Sequence, residues 1–151
     1  MQNAVLTTDG ACLGNPGSGG WACILRIGNV VRELSGCEPH TTNNRMEMTA
    51  AIRGLMALDA PTDVEIVTDS KYLLQGATEY LPRWKRNNWK TVTGKPVQNQ
   101  DLWLELEIQL QRHKVRWTWV RGHQDHAIQN KCDRLASMAA RGQQARNAEQ
   151  A

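Results

Sequence analysis

Two short segments of the chain end in the same chemical groups. Thr8-Asp9-Gly10 follows one apolar run, and Thr68-Asp69-Ser70 follows another. Each run is typical of a buried β-strand, and reactive groups collect beyond the carboxyl ends of strands in sheets that helices cover. Two carboxylates delivered to one edge of a sheet favour a divalent-cation site, because hard cations prefer carboxylate oxygens.

Each candidate carboxylate also has an ordinary structural interpretation. Asp69 or its neighbour could cap the following helix, and Asp9 could form a turn with the glycine after it. Glu47 completes a capping-box pattern with Asn44 at the start of a predicted helix. Asp133 lies beside the apolar stripe of the last predicted helix, where solvated residues are common. The residues alone leave structure and metal binding open at all of these positions.

The composition predicts one globular domain. The chain has 151 residues, of which 40% are hydrophobic and 22% are charged, as is typical of soluble domains. No segment approaches the ~20 apolar residues of a membrane span, and the N-terminus lacks a signal-peptide pattern. The four cysteines show no CxxC pairing, which favours reduced thiols. We expect a complete cytoplasmic protein that is monomeric and has no membrane partner.

The net charge of +3 is distributed unevenly. Residues 80–100 carry only basic charges, and the rest of the chain is slightly acidic. Aromatic rings alternate with these cations, which predicts a nucleic-acid face that binds phosphates and packs on sugars or bases. The alternative is a solvated helix whose tryptophans pack inward. The side chains concerned are Tyr80, Arg83, Trp84, Lys85, Arg86, Trp89, Lys90 and Lys95.

The hydrophobic pattern predicts a mixed sheet of about five strands. A strand that ends near Asp9 and strands over 21–27 and 30–37 form an antiparallel meander. Two later strands, over 64–69 and 114–120, each follow a helix and are therefore predicted to be parallel to the first. Helices are predicted from about residue 43 to 58, from 71 to Pro82, through part of the basic segment, over 100–113 and over 128–142.

A glycine-rich segment, residues 10–20, separates the first two strands. Its run Gly17-Ser18-Gly19-Gly20-Trp21-Ala22 matches the dinucleotide-binding fingerprint. That fingerprint must open a helix, whereas a strand is predicted here, and no Gly-Lys-Ser/Thr of a phosphate-binding P-loop is present. We expect the glycines to form a wide turn whose exposed backbone N–H groups approach a ligand.

Several motifs together resemble type 1 ribonuclease H. They are Thr8-Asp9-Gly10, Thr42 to Glu47, Thr68-Asp69-Ser70, Val120 to His123 and Cys132 to Ala136, in the family's order. Asp101-Leu102-Trp103 and the segment from Trp84-Lys85 to Trp89-Lys90 resemble bacterial members with a basic protrusion. The resemblance covers about residues 3–141. It implies an α/β ribonuclease H-like domain over 1–142 with a protrusion at about 80–99, and the polar residues 143–151 predict a flexible tail.

The resemblance also implies an activity and a metal site. The family's metal-binding quartet falls on Asp9, Glu47, Asp69 and Asp133, and its mobile-loop histidine falls on His123. The implied reaction is endonucleolytic hydrolysis of the RNA strand of RNA–DNA hybrids, largely independent of sequence, leaving 5′-phosphate and 3′-hydroxyl ends. Two Mg²⁺ ions, replaceable by Mn²⁺, would be held with Asp9 as the bridging ligand. His123 would shuttle protons or help the product leave.

Substrate contacts follow from the same resemblance. The RNA strand is assigned to Cys12, Gly14, Asn15, Asn43, Asn44, Glu47 and Lys71, and the DNA strand to His40, Thr42, Asn99, Trp84, Lys85, Arg86, Trp89 and Lys90. Three positions depart from related bacterial enzymes. Lys71 replaces a common Gln and His40 a common Arg. The pair Gln129-Asn130 replaces an Asn-Glu pair, so we expect an altered metal preference with activity retained.

Other functions fit the pattern less well. Transposases, integrases and junction resolvases share such a carboxylate cluster, but they usually carry additional DNA-binding domains. A non-catalytic hybrid-binding module would be expected to lack one of the carboxylates, and all are present. A domain detached from a reverse transcriptase is a further alternative. A zinc site formed by His123, His126 and Cys132 would have only three candidate ligands.

Overall fold

The strands form a single mixed sheet. The computed structural model describes residues 1–121 and 126–150. Its strands are β1 (Gln2–Leu13), β2 (Gly17–Ile27), β3 (Val30–Thr41), β4 (Thr62–Thr68) and β5 (Lys114–Trp119). The order across the sheet is β3-β2-β1-β4-β5, with antiparallel pairing through β1, β2 and β3 and parallel pairing of β4 with β1 and β5. The predicted α/β class with a five-stranded mixed sheet is confirmed.

Helices cover both faces of this sheet. They are α1 (Asn43–Met56), α2 (Lys71–Gln75), α3 (Leu81–Arg86), α4 (Gln100–Arg112) and α5 (Ala127–Gln150), and a π-helical turn (Gly76–Tyr80) joins α2 to α3. The main core lies between the sheet and α1 and α4, with Leu6, Leu25, Met48, Leu55 and Trp103 among its buried members. A smaller cluster holds α5 on the opposite face. Within the described ranges no helix combines the length and the hydropathy that a bilayer crossing requires.

Close contact between α5 and β2 requires a glycine at position 20. Gly17 to Gly20 begin β2, and the turn before them is confined to residues 14–16. A Cβ atom at Gly20 would collide with the Ala136 carbonyl oxygen. Glycine therefore allows the backbone of α5 to lie directly on the strand. The predicted wide glycine turn is wrong, because Gly17 to Gly20 belong to β2 and the packing of α5 demands the glycine at position 20.

The helical segment after β4 passes through Pro82 instead of ending there. In the π-helical turn the Leu81 N–H bonds to the Gly76 carbonyl, five residues back. Pro82 has no N–H to satisfy and lies in the first turn of α3, a position that tolerates proline. The wider turn thus replaces the helix end that the sequence predicted, and α3 carries the chain to Arg86.

The last helix is eight residues longer than its predicted end at residue 142. It continues to Gln150, so the predicted helix end is wrong and the described residues 143–150 of the expected tail are helical. Polar residues that indicated a frayed end are hydrogen-bonded to β2 and β3. Asn147 donates to the Ser18 hydroxyl and the Pro39 carbonyl, and Arg146 donates to the Cys37 sulfur. These contacts are made across more than a hundred residues of chain, where sequence pattern gives no signal.

Candidate active site

Asp9 and Asp69 lie where β1 and β4 separate. The parallel ladder between these strands ends at the pair Thr7 and Val67, while β1 continues beside β2 to Leu13. Each aspartate is two residues beyond that last pair, so both come from neighbouring strands at equivalent positions. The first strand therefore does not end at Asp9, as the sequence predicted, but loses β4 as its partner there.

Glu47 comes to the same place from α1. Thr42 caps that helix by accepting a hydrogen bond from the Arg45 backbone N–H (3.3 Å), so a capping box with Glu47 is not formed. The Gly10 N–H instead donates to Asp9 Oδ1 (2.9 Å) and to Glu47 Oε1 (3.1 Å). One backbone donor thus fixes two of the carboxylates, and the capping interpretation of Glu47 is wrong.

Three carboxylates converge at this point. Asp9, Glu47 and Asp69 each offer an oxygen, and these atoms lie within 4.8 Å of one another. Asp9 is 2% exposed and Glu47 4%. Within the described residues, Asp9 Oδ2 and Glu47 Oε2 are buried without a hydrogen-bond partner. Asp133, from α5, joins the three in lining a cavity of about 570 Å³.

The electrostatics of this cluster match a cation site. Burial raises the pKa of Asp9, and the negative charges of Asp69 and Asp133 raise it further. Burial likewise raises the pKa of Glu47 well above its usual value, and the charges of Asp9 and Asp69 add to the effect. Desolvation and mutual repulsion thus oppose ionisation of the pair. A divalent cation would relieve both, and the unpartnered oxygens are the ligands such ions prefer.

A tryptophan and a lysine border the cluster on the β5 side. The Trp119 indole N–H donates to the Asp69 carbonyl oxygen (3.3 Å). The Lys71 ammonium lies 5.1 Å from the centre of the Trp119 ring, within the range of a cation–π interaction. Lys71, a predicted substrate contact, lines the cavity. Trp119 was not predicted, and its sequence signal was only a bulky residue at the end of the strand beside Asp69.

The cavity collects several of the residues predicted from sequence. Beside the carboxylates it is lined by Cys12, Asn43, Asn44 and Lys71. Asn15 and Gly14 lie next to it, because Asn15 Oδ1 accepts a hydrogen bond from the Asn43 N–H (3.0 Å) and thereby ties their turn to the start of α1. His123 lies outside the described residues.

The residues predicted for a DNA-strand phosphate lie beyond the cavity, near the N-terminus of α1. Thr42 is the cap residue of that helix, and His40 is exposed on β3. Asn99 has a left-handed backbone (φ 58°). Its side chain accepts from Arg45 (3.3 Å) and donates to the Tyr72 hydroxyl (3.0 Å), so Asn99 lies at the same end of α1 as Thr42.

The tryptophans of the basic segment are half-buried rather than exposed. Trp84 lies between Tyr80 and Trp103, with ring centres 5.7 and 5.4 Å away. Trp89 also packs against the main core. Inward packing, the alternative interpretation of these rings, therefore describes them better than free stacking platforms. Tyr80, at 37%, is the more exposed ring.

The cations of this segment remain at the surface. Arg86 and Lys90 are exposed, while Lys85 forms an ion pair with Glu107 on α4 (2.6 Å). Exposed pairs of this kind contribute little stability. The aromatic residues attach the segment to the core, and the basic side chains form its outer face.

Gln129 contacts the strand that carries Asp9, a structural role that the sequence did not predict. It is buried, and its Nε2 donates to the Thr8 carbonyl (3.1 Å) next to Asp9. Its backbone N–H donates to His126 Nδ1, which helps to begin α5. The Cys132 thiol donates to the Ala22 carbonyl. His126 and Cys132 therefore have structural partners, and the zinc interpretation is not supported.

Comparisons with known proteins identify the family. The family model described as RNase H matches residues 1–141. A Ribonuclease H of Solibacter usitatus (strain Ellin6076) is 57% identical over 143 residues, which is 95% of this chain and 98% of the relative. The chain belongs to the RNase H family. A second Ribonuclease H, of Hydrogenovibrio crunogenus (strain DSM 25203 / XCL-2), is 53% identical over 139 residues, 92% of this chain and 96% of the relative.

Solved structures agree with this membership. The crystal structure of LC9-RNase H1, a type 1 RNase H with the type 2 active-site motif, matches with a TM-score of 0.85 and 32% identity, over 95% of this chain and 74% of that one. LC11-RNase H1 in complex with RNA/DNA hybrid shares the fold, with a TM-score of 0.66 and 20% identity over 92% and 97% of the two chains. Members of the RNase H family are endoribonucleases, so the chain is a hydrolase of phosphodiester bonds.

Proposed function

We propose that the protein cleaves the RNA strand of RNA–DNA hybrids endonucleolytically, with little sequence preference, leaving 5′-phosphate and 3′-hydroxyl ends. The observation that carries this proposal is the cluster of Asp9, Glu47 and Asp69 at an open cavity, where Asp9 Oδ2 and Glu47 Oε2 are buried without a hydrogen-bond partner among the described residues. Family membership supports the reaction class. A hybrid is also the molecule bound by LC11-RNase H1, a protein of the same fold.

The carboxylates are the proposed ligands of two Mg²⁺ ions, with Mn²⁺ as a substitute. Asp9 is assigned as the shared ligand, Glu47 and Asp69 as ligands of one ion, and Asp133 as a ligand of the other. When bound, such ions activate water and stabilise charge on the phosphate oxygens. The chain's own contribution is position, since the Gly10 N–H orients two of these carboxylates before any ligand arrives. His123 is proposed to move a proton or to assist product release.

Recognition of the RNA strand is proposed for the rim of the cavity. A 2′-hydroxyl both donates and accepts hydrogen bonds, and it distinguishes RNA from DNA. The side-chain amides of Asn43 and Asn44, at the start of α1, can both donate and accept hydrogen bonds. The turn with Gly14 and Asn15 is joined to Asn43 by a hydrogen bond, so these elements can present backbone and side-chain groups together. The DNA strand is proposed to contact Thr42, Asn99 and the basic segment.

Cleavage of three end-labelled duplexes tests this function. We expect RNA–DNA hybrid to be cut in its RNA strand with Mg²⁺, and RNA–RNA and DNA–DNA to remain intact. Chelation by EDTA should stop the reaction, and end analysis of the products should give 5′-phosphate and 3′-hydroxyl groups. A hybrid that is bound but intact under every metal tried would instead indicate a binding module. Cutting of DNA–DNA would indicate a recombination-type nuclease.

Lys71 is expected to contribute one electrostatic contact to the substrate. Its ammonium borders the cavity beside Trp119, where a phosphate of the bound strand can approach it. Each neutralised phosphate changes the slope of log K against log salt by roughly 0.7–0.9. In Lys71→Gln, KM should therefore rise a few-fold at low salt. Its logarithm should also depend less steeply on log salt, and the slope should decrease by the amount that corresponds to about one phosphate contact. Lys114→Gln, on the opposite end of β5, is the matched control. An unchanged slope in Lys71→Gln would contradict the contact.

A further inference from the structure

We propose that Asn147 is a positioning residue for substrate binding. Its hydrogen bonds hold in place the two segments that flank the start of α1. This inference rests on the proposed function. Asn147 lies in the last turns of α5, the part of the helix that the sequence did not predict. It is far along the chain from Asp9, Glu47 and Asp69, follows Asp133 on the same helix, and is not among the residues that line the cavity.

A single side-chain amide joins β2 to β3 through α5. Asn147 Nδ2 donates to the Ser18 hydroxyl (2.8 Å) and to the Pro39 carbonyl (2.9 Å). Gln143, one turn earlier, donates to Asn147 Oδ1 (2.8 Å) and so fixes the direction in which the amide faces. Both donors of the Asn147 amide group and its acceptor are thus used, which leaves one orientation for this side chain.

The Pro39 contact lies in an irregular part of β3. Gly17 pairs with Thr41, but Gly19 pairs with Glu38, so the register shifts and β3 has an extra residue between these pairs. Such bulges redirect the residues that follow them, and they are common beside active sites. The bulge contains the Pro39 carbonyl that Asn147 binds. His40, a predicted DNA-strand contact, lies in the bulge beside Pro39, and Thr42, another, follows it.

Through Ser18, Asn147 is also bonded to the second segment that flanks the start of α1. Ser18 is buried and follows the turn of residues 14–16, whose Asn15 side chain accepts from the Asn43 N–H (3.0 Å). The turn and the bulge therefore approach the start of α1 from two sides, and Asn147 ties them to each other. Arg146 adds a third contact on the same edge by donating to the Cys37 sulfur (2.7 Å).

This arrangement separates binding from chemistry. Asp9, Glu47 and Asp69 are positioned by β1, β4, α1 and Gly10, which Asn147 does not touch, while Asp133 lies on α5 itself, well before Asn147. Loss of its hydrogen bonds should loosen the bulge and the turn, and with them the predicted contacts at Asn15, His40, Thr42 and Asn43. The expected consequence is weaker substrate binding and a higher KM, with kcat nearly unchanged, rather than a uniform loss of activity.

The test compares full-length Asn147→Ala and Asn147→Asp with Gln144→Ala, an exposed neighbour on the same helix. Asn147→Asp keeps the shape and the acceptor for Gln143 but lacks both N–H donors. We expect each Asn147 variant to raise KM for an RNA–DNA hybrid about fivefold or more, the effect of one or two lost hydrogen bonds, with kcat within twofold. Gln144→Ala should match the wild type. Ser18→Ala should have a smaller effect, and adding it to Asn147→Ala should change nothing further.

Anisotropy of a fluorescein-labelled hybrid, measured in EDTA, separates this inference from the proposed function. If the hybrid is cleaved by the wild type but both Asn147 variants keep its KM, its Kd and its cleavage-site pattern, the inference is overturned. The inference is also overturned if kcat falls as much as KM rises and the melting temperature falls with it. That pattern indicates a structural role. If the hybrid is bound more weakly by the variants but cleaved by no form, the inference stands and the proposed function fails. If the wild type binds no hybrid, both fail.

Discussion

Asp9→Asn is expected to abolish hybrid cleavage while making the metal-free protein more stable. Asp9 is central to the cluster, because its charge lies beside those of Glu47, Asp69 and Asp133. Asparagine keeps the shape and an acceptor for the Gly10 N–H, but it removes the charge that a shared metal ligand needs. We expect a rate loss of about a thousandfold or more, as large as the loss of a main electrostatic group in other active sites.

The stability gain should depend on pH with a defined sign. The pKa values of Asp9 and Glu47 are raised in the folded state, so the folded protein holds protons that the unfolded chain has released. The contribution of these two groups to the stability of the folded state is most favourable below their unfolded pKa of about 4. It is lost as pH rises through their pKa values in the folded state. The advantage of Asp9→Asn over the wild type should therefore grow between about pH 4 and 7 and reach about 1–2 kcal/mol, a usual gain for relief of active-site strain.

Urea unfolding in EDTA at several pH values measures this difference. Adding Mg²⁺ should stabilise the wild type through binding to the folded state and leave Asp9→Asn nearly unchanged. Asp59→Asn, which changes an exposed aspartate between α1 and β4, is the control and should match the wild type in both its stability and its response to Mg²⁺. Equal stability of Asp9→Asn and wild type at pH 7 would contradict the repulsion inferred for the cluster.

The sheet could be predicted because local pattern determines it. Thr-Asp after each of two apolar runs indicated strand ends that meet, whereas Glu47 and Asp133 were added to the two aspartates only through the resemblance to type 1 ribonuclease H. The competing capping interpretation of Glu47 could not be excluded from sequence. Only the fold shows that Thr42 caps α1 and that Glu47 faces Gly10.

The errors in prediction arose where distant packing decides the structure. The Asn147 side chain meets Ser18 from 129 residues away, and a polar run that predicts fraying becomes an anchored helix. Gly20 shows the same effect, because the helix that requires a glycine there comes more than a hundred residues later. Trp84 lies among cations in sequence, but its ring packs on Trp103 of α4. The partners of these residues lie too far along the chain for a local pattern to reveal them.

Gly10→Ala is expected to cause the second large loss, through geometry rather than charge. A Cβ atom at this position would lie 2.5 Å from the Glu47 backbone nitrogen and 2.7 Å from the Met46 carbonyl carbon. Both neighbours are backbone atoms of α1, so the helix itself must move away from β1. Overpacking of this kind costs about 1–3 kcal/mol. A shift of Glu47 relative to Asp9 by even about 1 Å is expected to lower activity about a hundredfold.

Gly142→Ala distinguishes this effect from a general consequence of replacing glycine. Gly142 lies within α5, and a Cβ there has no neighbour closer than Arg146 at 3.8 Å, so alanine should stabilise the helix by up to about 1 kcal/mol and leave cleavage intact. Activity is measured well below the melting temperature of each variant, and near-ultraviolet circular dichroism verifies the folded state. If folded Gly10→Ala cleaves the hybrid at the wild-type rate, the distance between β1 and α1 does not control the site. A folded but slow variant whose melting temperature Mg²⁺ no longer raises would show that this distance holds Asp9 and Glu47 together as metal ligands.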